Sequence, residues 1–148
     1  MRWEKYGVRD LAYSNWHRTI PHPARFIDID HVEYCPYCNQ ALAYVETARD
    51  VGQAIATKCC TVTRNAALRA GTQGYLVLYK CCLDDTLGGR LRAIYQPELK
   101  DKIIGFRVRR IAPQMSDERH FSPDAWADHL LLLHEYHERK CLAAKRTA

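Results

Sequence analysis

The 148-residue sequence has no apolar run approaching the roughly 18 residues that a membrane-spanning helix needs. Its basic start (Arg2, Lys5 and Arg9) is not followed by the apolar core of a secretory signal. The chain also lacks an internal repeat, a low-complexity tract and a linker, which argues against repeat and multidomain architectures. We therefore expect a single domain, residues 1–148, in the cytoplasm.

The remaining composition, 47% hydrophobic and 26% charged, is typical of a soluble globular protein. A net charge of +5 suits a nucleic-acid partner without requiring one. The seven cysteines are an odd number in a chain without a signal peptide, which favours reduced thiols, some of them on a metal.

The hydrophobic pattern predicts an α/β fold: a mixed sheet of about five strands, a crossover helix and a long C-terminal helix. Residues 74–83 are apolar on both faces, as in a central strand. Residues 41–49 fit a hairpin strand but also a helix, since they are rich in good helix formers. The predicted strands are 24–34, 41–49, 74–83, 90–95 and 103–112, and the predicted helices are 9–18, 53–70 and 123–144.

Three acidic residues stand in or between apolar strand segments: Asp28 and Asp30 on the first predicted strand, and Glu46 on its hairpin neighbour. Carboxylates inside apolar strands cost free energy unless a cation or hydrogen bonds compensate them. Hard cations prefer oxygen ligands, so these residues are candidate Mg²⁺ ligands. The alternative is that they are ordinary acids on a solvated strand face.

With an Asp-bearing strand, a Glu-bearing strand, a helix and a further strand, residues 24–82 resemble the PD-(D/E)xK, or restriction-endonuclease-like, nuclease superfamily. The chain also resembles small proteins of actinobacterial phages that carry Ile-Asp-Ile-Asp, Cys-x-x-Cys and Val-Glu-x-Ala-Arg-Asp. The resemblance implies Mg²⁺-dependent phosphodiester hydrolysis, with Asp30 and Glu46 on the metal. Glu46-Thr47-Ala48 lacks the family's lysine, so Lys58 or Gln53 would position the water.

The Cys35-Pro-Tyr-Cys38 motif has three interpretations. It matches the glutaredoxin redox motif, whose first thiolate lies at a helix N-terminus. It also matches a zinc knuckle at a hairpin tip, although no second Cys-x-x-Cys or His-x-x-x-His exists to complete a site. In the third interpretation the thiols carry no ligand. Residues that would have to converge on the pair to complete a zinc site are Cys59, Cys60, Cys81, Cys82, His31 and His120.

The histidines of the predicted C-terminal helix fit no zinc-protease spacing, and we interpret them as complementing the helix dipole (His129, His134 and His137). Cys141 stands alone in the sequence.

Basic residues recur on the predicted later strands, where they form either a phosphate-binding face or a solvated one. The candidates for nucleic-acid binding are Arg90, Arg92, Arg107, Arg109 and Arg110. The sequence therefore predicts, first, a phage-type nuclease-like protein that cleaves or binds nucleic acid. The alternatives are a non-catalytic phage accessory or inhibitor module that binds a host protein, with or without a stabilising zinc ion, and a thiol oxidoreductase.

Overall fold

The computed structural model describes residues 30–55, 60–82 and 102–147, with side chains as far as residue 144. Several predictions fall outside these residues, so the structure does not bear on them. They are the helix 9–18, most of the first strand, the strand 90–95, and the residues Asp28, Lys58, Cys59, Arg90 and Arg92.

The described residues form a five-stranded mixed sheet with two helices, which confirms the predicted α/β class. The strand order follows the chain, β1-β2-β3-β4-β5. β2 and β3 are parallel and joined through α1, whereas the other neighbouring pairs are antiparallel. The elements are β1 (His31–Tyr34), β2 (Ala41–Arg49), α1 (Thr61–Ala70), β3 (Gln73–Cys81), β4 (Ile103–Ala112), β5 (Arg119–Phe121) and α2 (Pro123–Thr147).

The two helices cover opposite faces of the sheet. Successive side chains of a strand point to opposite faces, so neighbouring core residues of one strand pack against different helices. On β3, Leu76 packs with Cys60 and Ile111 on the α1 side. Tyr75 and Val77 belong to the larger cluster on the α2 side. That larger core consists of Ala43, Val45, Tyr75, Val77, Val108 and Trp126.

Residues 41–49 are a strand, not a helix, and this decides the ambiguity left by the sequence. β2 pairs with β1 on one side and with β3 on the other, so both its edges are hydrogen bonded. Ala43 and Val45 are buried in the core on one face, which gives the segment the period-2 pattern of a strand. Tertiary pairing therefore outweighs the helix propensity of its Ala, Leu and Glu residues.

The crossover helix is shorter than predicted, since α1 begins at Thr61 and residues 53–55 are not helical. Gln53 instead closes the turn after β2: its Oε1 accepts from the Val51 amide at 2.7 Å, and its Nε2 donates to the Arg49 carbonyl at 2.8 Å. Gly52 has a φ of +81°, a conformation that favours glycine. These local hydrogen bonds satisfy the backbone in place of a first helical turn.

The C-terminal helix follows its predicted start closely and extends to Thr147. Ser122 caps it, with its Oγ accepting from the Ala125 amide at 3.2 Å. Trp126 is buried, and Leu130 and Leu133 pack partly buried against the core. Tyr136 is 58% exposed, so it is not part of the buried face. Among the described residues, no helix is long and apolar enough to cross a membrane.

Candidate metal centre

Four potential metal ligands converge where the tip of the β1–β2 hairpin meets the second half of α2. Cys35 and Cys38 come from the hairpin turn, and His137 and Cys141 come from the helix. Their ligand atoms all lie within 4.8 Å of one another. In the part of the chain that the structure describes, this is the only group of three or more such residues close enough to hold a metal ion.

The hairpin turn holds its two cysteines through backbone hydrogen bonds. The Cys35 amide donates to the Gln40 carbonyl at 2.9 Å, and the Asn39 amide donates to the Cys35 carbonyl at 2.8 Å. Asn39 has a φ of +59°, a left-handed conformation that asparagine tolerates better than most residues. Cys35 is fully buried and Cys38 is exposed, so one residue of the pair lies in the interior and the other at the surface.

The helix supplies its two ligands from one face, because residues four apart in a helix lie one above the other. His137 and Cys141 have this spacing and continue the line of Trp126, Leu130 and Leu133, which packs against the sheet. The same packing that buries the apolar face of α2 therefore carries both ligands to the hairpin.

The geometry of the cluster fits a tetrahedral ion. With Zn–S near 2.3 Å and Zn–N near 2.0 Å, a tetrahedron places sulfur and nitrogen about 3.5 Å apart and two sulfurs about 3.8 Å apart. Cys38 Sγ and His137 Nε2 are 3.4 Å apart, and none of the four ligand atoms is more than 4.8 Å from another. A small contraction around an ion would complete the coordination shell.

The pKa values of the thiols show how they influence one another. Desolvation raises the pKa of Cys35, but hydrogen bonds from the Tyr37 and Cys38 amides, and from the Cys38 and Cys141 side chains, outweigh it and lower the pKa overall. The pKa of Cys141 is raised by desolvation and by the neighbouring Cys38 and Cys35 thiols. A first thiolate is thus favoured at Cys35 and disfavours a further one at Cys141. A divalent cation would compensate several thiolates together.

A second contact between the same two elements lies beside the cluster. Glu33, two residues before Cys35, faces His134, and the Glu33 Oε2 atom lies 2.8 Å from His134 Nε2. Both side chains are about three-quarters buried, with exposures of 29% and 25%. The pair fixes β1 against α2 one helical turn before His137.

The donor set of three sulfurs and one imidazole nitrogen is typical of zinc rather than of Mg²⁺, which prefers oxygen. Four protein ligands leave no open position for water or substrate, as in structural rather than catalytic zinc sites. The arrangement therefore suits a metal that joins the hairpin to the helix.

The sequence predicted only half of this centre. Cys35 and Cys38 are in the cluster as candidate zinc ligands, but the residues expected to complete it are not. Cys60 instead packs in the α1-side core. The remaining described candidates, which also lie outside the cluster, are Cys81, Cys82, His31 and His120.

The helix-dipole interpretation of the three histidines also needs correction, because each has a specific neighbour. His129 Nε2 lies 3.0 Å from the Tyr75 hydroxyl, and His134 contacts Glu33. His137 belongs to the cysteine cluster. The missed signal was the spacing His137-x-x-x-Cys141, which places two ligands on one helical face as effectively as His-x-x-x-His does.

The predicted magnesium ligands have other neighbours. Asp30 Oδ2 accepts from both the amide and the hydroxyl of Thr47, at 2.8 Å each. Glu46 Oε2 accepts from the hydroxyl of Thr63 on α1, at 2.9 Å. The two carboxylates thus bind different threonines, and Gln53 is occupied in the turn after β2.

The three described arginines proposed for nucleic-acid binding all make internal hydrogen bonds. Arg107 bridges Asp50 at 2.9 Å and Glu118 at 2.7 Å. Desolvation raises the pKa of Asp50, but hydrogen bonds from the Gly52 amide and from Arg107 outweigh it and lower the pKa overall. Arg107 likewise holds the pKa of Glu118 below its usual range, against the effect of desolvation. Arg109 donates to the Ser116 carbonyl, and Arg110 donates to the Gln114 carbonyl. Their first role is therefore to fix strand β4 to the segments around it.

Comparisons of this chain with protein-family models, with curated proteins and with solved structures found no match.

Proposed function

We propose that the protein is a zinc-stabilised binding module without catalytic metal chemistry. The observation that carries this proposal is the meeting of Cys35, Cys38, His137 and Cys141, whose hairpin and helical members are at least 99 positions apart in the chain. Because a closed four-ligand site offers no position for a substrate, its contribution is to hold a surface in one conformation.

The surface so held carries exposed tyrosines directly beside the ligands. Tyr34 precedes Cys35, Tyr37 lies between the two hairpin cysteines, and Tyr136 precedes His137; their exposures are 55%, 48% and 58%. Tyrosine is enriched among the residues that dominate protein–protein binding energy. This supports a protein partner, such as the host protein expected of a phage accessory or inhibitor module.

Metal analysis tests the proposal. The purified protein should contain stoichiometric zinc by elemental analysis, and Cys35→Ser should lose most of it because one of four ligands is gone. Cys82→Ser is the matched control, since Cys82 is a cysteine outside the cluster and should leave the zinc content unchanged. Wild-type protein that is purified and reconstituted without retaining zinc would contradict the proposal.

Metal-dependent phosphodiester hydrolysis remains a prediction from the sequence resemblance. It requires that Asp30 and Glu46 exchange their threonine hydrogen bonds for a shared Mg²⁺. If the prediction holds, plasmid DNA is cleaved when Mg²⁺ is added, and Glu46→Ala abolishes the cleavage. If wild type and Glu46→Ala both leave the plasmid intact, this function is excluded and the binding module stands alone.

The thiol-oxidoreductase hypothesis lacks the architecture that motivated it. A glutaredoxin-like site places its first thiolate at a helix N-terminus. Here the segment that follows Cys38 is strand β2, and Cys35 is fully buried in the hairpin turn. Metal coordination therefore accounts for the arrangement of the two thiols better than a redox site does.

A further inference from the structure

A small cavity lies at the opposite end of α2 from the cysteine cluster, beneath the turn between β4 and β5. Its volume is about 100 Å³. A cavity of about 150 Å³ accommodates benzene, which has six non-hydrogen atoms, so this one has room for a group of about four. The lining residues are Tyr75, Val108, Arg110, Ser116, Arg119, Phe121, Trp126 and His129.

The titratable groups that line the cavity sum to a positive charge. Arg110 and Arg119 are its two cations, and none of its lining residues is a carboxylate. Desolvation lowers the pKa of His129 and raises that of Tyr75, so both are neutral near pH 7. The charge of Arg119 further lowers the pKa of His129.

Two carboxylates are adjacent in sequence to cavity residues, but neither lines the cavity and neutralises its positive charge. Glu118, the residue before Arg119, is engaged with Arg107 at 2.7 Å. Asp128, the residue before His129, is exposed on the helix and does not line the cavity.

The polar lining is held in place by the turn that covers it. Ser116 Oγ accepts from the Arg110 amide at 3.1 Å, and the Ser116 amide donates to the Arg110 carbonyl at 3.0 Å. Arg110 Nε donates to the Gln114 carbonyl, a bond that occupies one of the five N–H donors of a guanidinium. On the other side, the Tyr75 hydroxyl and His129 Nε2 are 3.0 Å apart.

We propose that this cavity binds a phosphoryl group, either as free phosphate or as the terminal phosphate of a nucleotide or nucleic acid. Two guanidiniums and a neutral histidine–tyrosine pair supply donors around a space of about the size of a phosphoryl group. The Ser116 hydroxyl is not among these donors, because it donates to the Asp117 carbonyl at 2.9 Å. The apolar rings of Phe121 and Trp126 form part of the walls, and the low local dielectric beside them strengthens such interactions. The site is separate from the cysteine cluster, so it stands or falls independently of the zinc proposal.

Titration of the full-length protein, as purified, with inorganic phosphate at constant ionic strength tests the site, and ¹H–¹⁵N NMR shifts report the binding. Saturable shifts of residues 108–121 and of the His129 region are expected, with a Kd of roughly 1 mM. Arg119→Gln should weaken binding about tenfold or more, through loss of a charge-assisted hydrogen bond. Arg119 is exposed on a short edge strand, so this change should leave the melting temperature nearly unaltered.

Arg69→Gln is the charge-matched control, because Arg69 is exposed at the end of α1 on the other side of the sheet. A second arm compares an oligonucleotide carrying a 5′-phosphate with the same oligonucleotide ending in a hydroxyl. Tighter binding of the phosphorylated form identifies a nucleic-acid terminus as the source, and equal binding identifies free phosphate. Absence of saturable phosphate binding, or equal weakening by Arg69→Gln and Arg119→Gln, would overturn the proposal.

Discussion

Removing zinc with a chelator should lower the melting temperature by on the order of 10 °C. A metal present at a thousand times its dissociation constant stabilises the native state by about 4 kcal/mol. For a domain of this size, each kcal/mol corresponds to roughly 2–4 °C. Chelation should unfold only the end of the protein around the cysteine cluster and not the whole domain. The α2-side core should persist, because Ala43, Val77 and Val108 pack there and are not ligands.

Hydrogen–deuterium exchange would locate the effect of chelation. Exchange should accelerate at the hairpin tip, residues 35–40, and along residues 134–144 of α2, which the cluster joins. Strands β3 and β4 should stay protected, since their hydrogen bonds lie in the middle of the sheet. Cys82→Ser should respond to the chelator like the wild type. An unchanged melting temperature, or faster exchange spread evenly over the chain, would show that the cluster does not hold a structural metal.

The fold class could be predicted from the sequence because the strongest patterns in the sequence are local. The doubly apolar run in residues 74–83 predicted a central strand, which the structure has at Gln73–Cys81, and Ser122-Pro123-Asp124 predicted the start of α2. β5, only three residues long, was not predicted because so short a segment has too few positions to show alternation. The choice between strand and helix for residues 41–49 depended on partners on both edges, which local propensity does not contain.

Only half of the metal centre could be predicted from the sequence, for a different reason. The Cys35–Cys38 pair is a compact motif that a single segment displays. Its partners His137 and Cys141 are about a hundred positions away, and they reach the hairpin only because α2 packs across the α2-side face of the sheet. Their spacing of four was visible in the sequence, but the contact between helix and hairpin belongs to tertiary structure. Partners of Asp30 and Glu46 were hidden in the same way, since both threonines are brought to them by folding.

The packing that brings α2 to the hairpin depends above all on Trp126, which is 7% exposed. Its ring is stacked on His129 with centroids 5.2 Å apart, and it meets Tyr75 and Phe121 edge-on at 5.5 Å. Phe106 completes this aromatic cluster at 6.3 Å. Truncation to alanine should therefore cost about 3–5 kcal/mol of unfolding free energy, the range for a large aromatic removed from a packed core.

Trp126 lies between two cavities, so few neighbouring side chains could move into the space that its truncation would leave. The side chain lines both the phosphate-sized cavity and a larger one of about 450 Å³ between the sheet and α2, so Trp126→Ala would remove part of the wall of each. Urea unfolding with zinc in excess measures the loss, with Leu131→Ala as the control, because Leu131 is 58% exposed on the outer face of the same helix. The control should stay within about 0.5 kcal/mol of the wild type. If Trp126→Ala loses less than about 1 kcal/mol, the helix is held chiefly by the metal cluster and the Glu33–His134 contact.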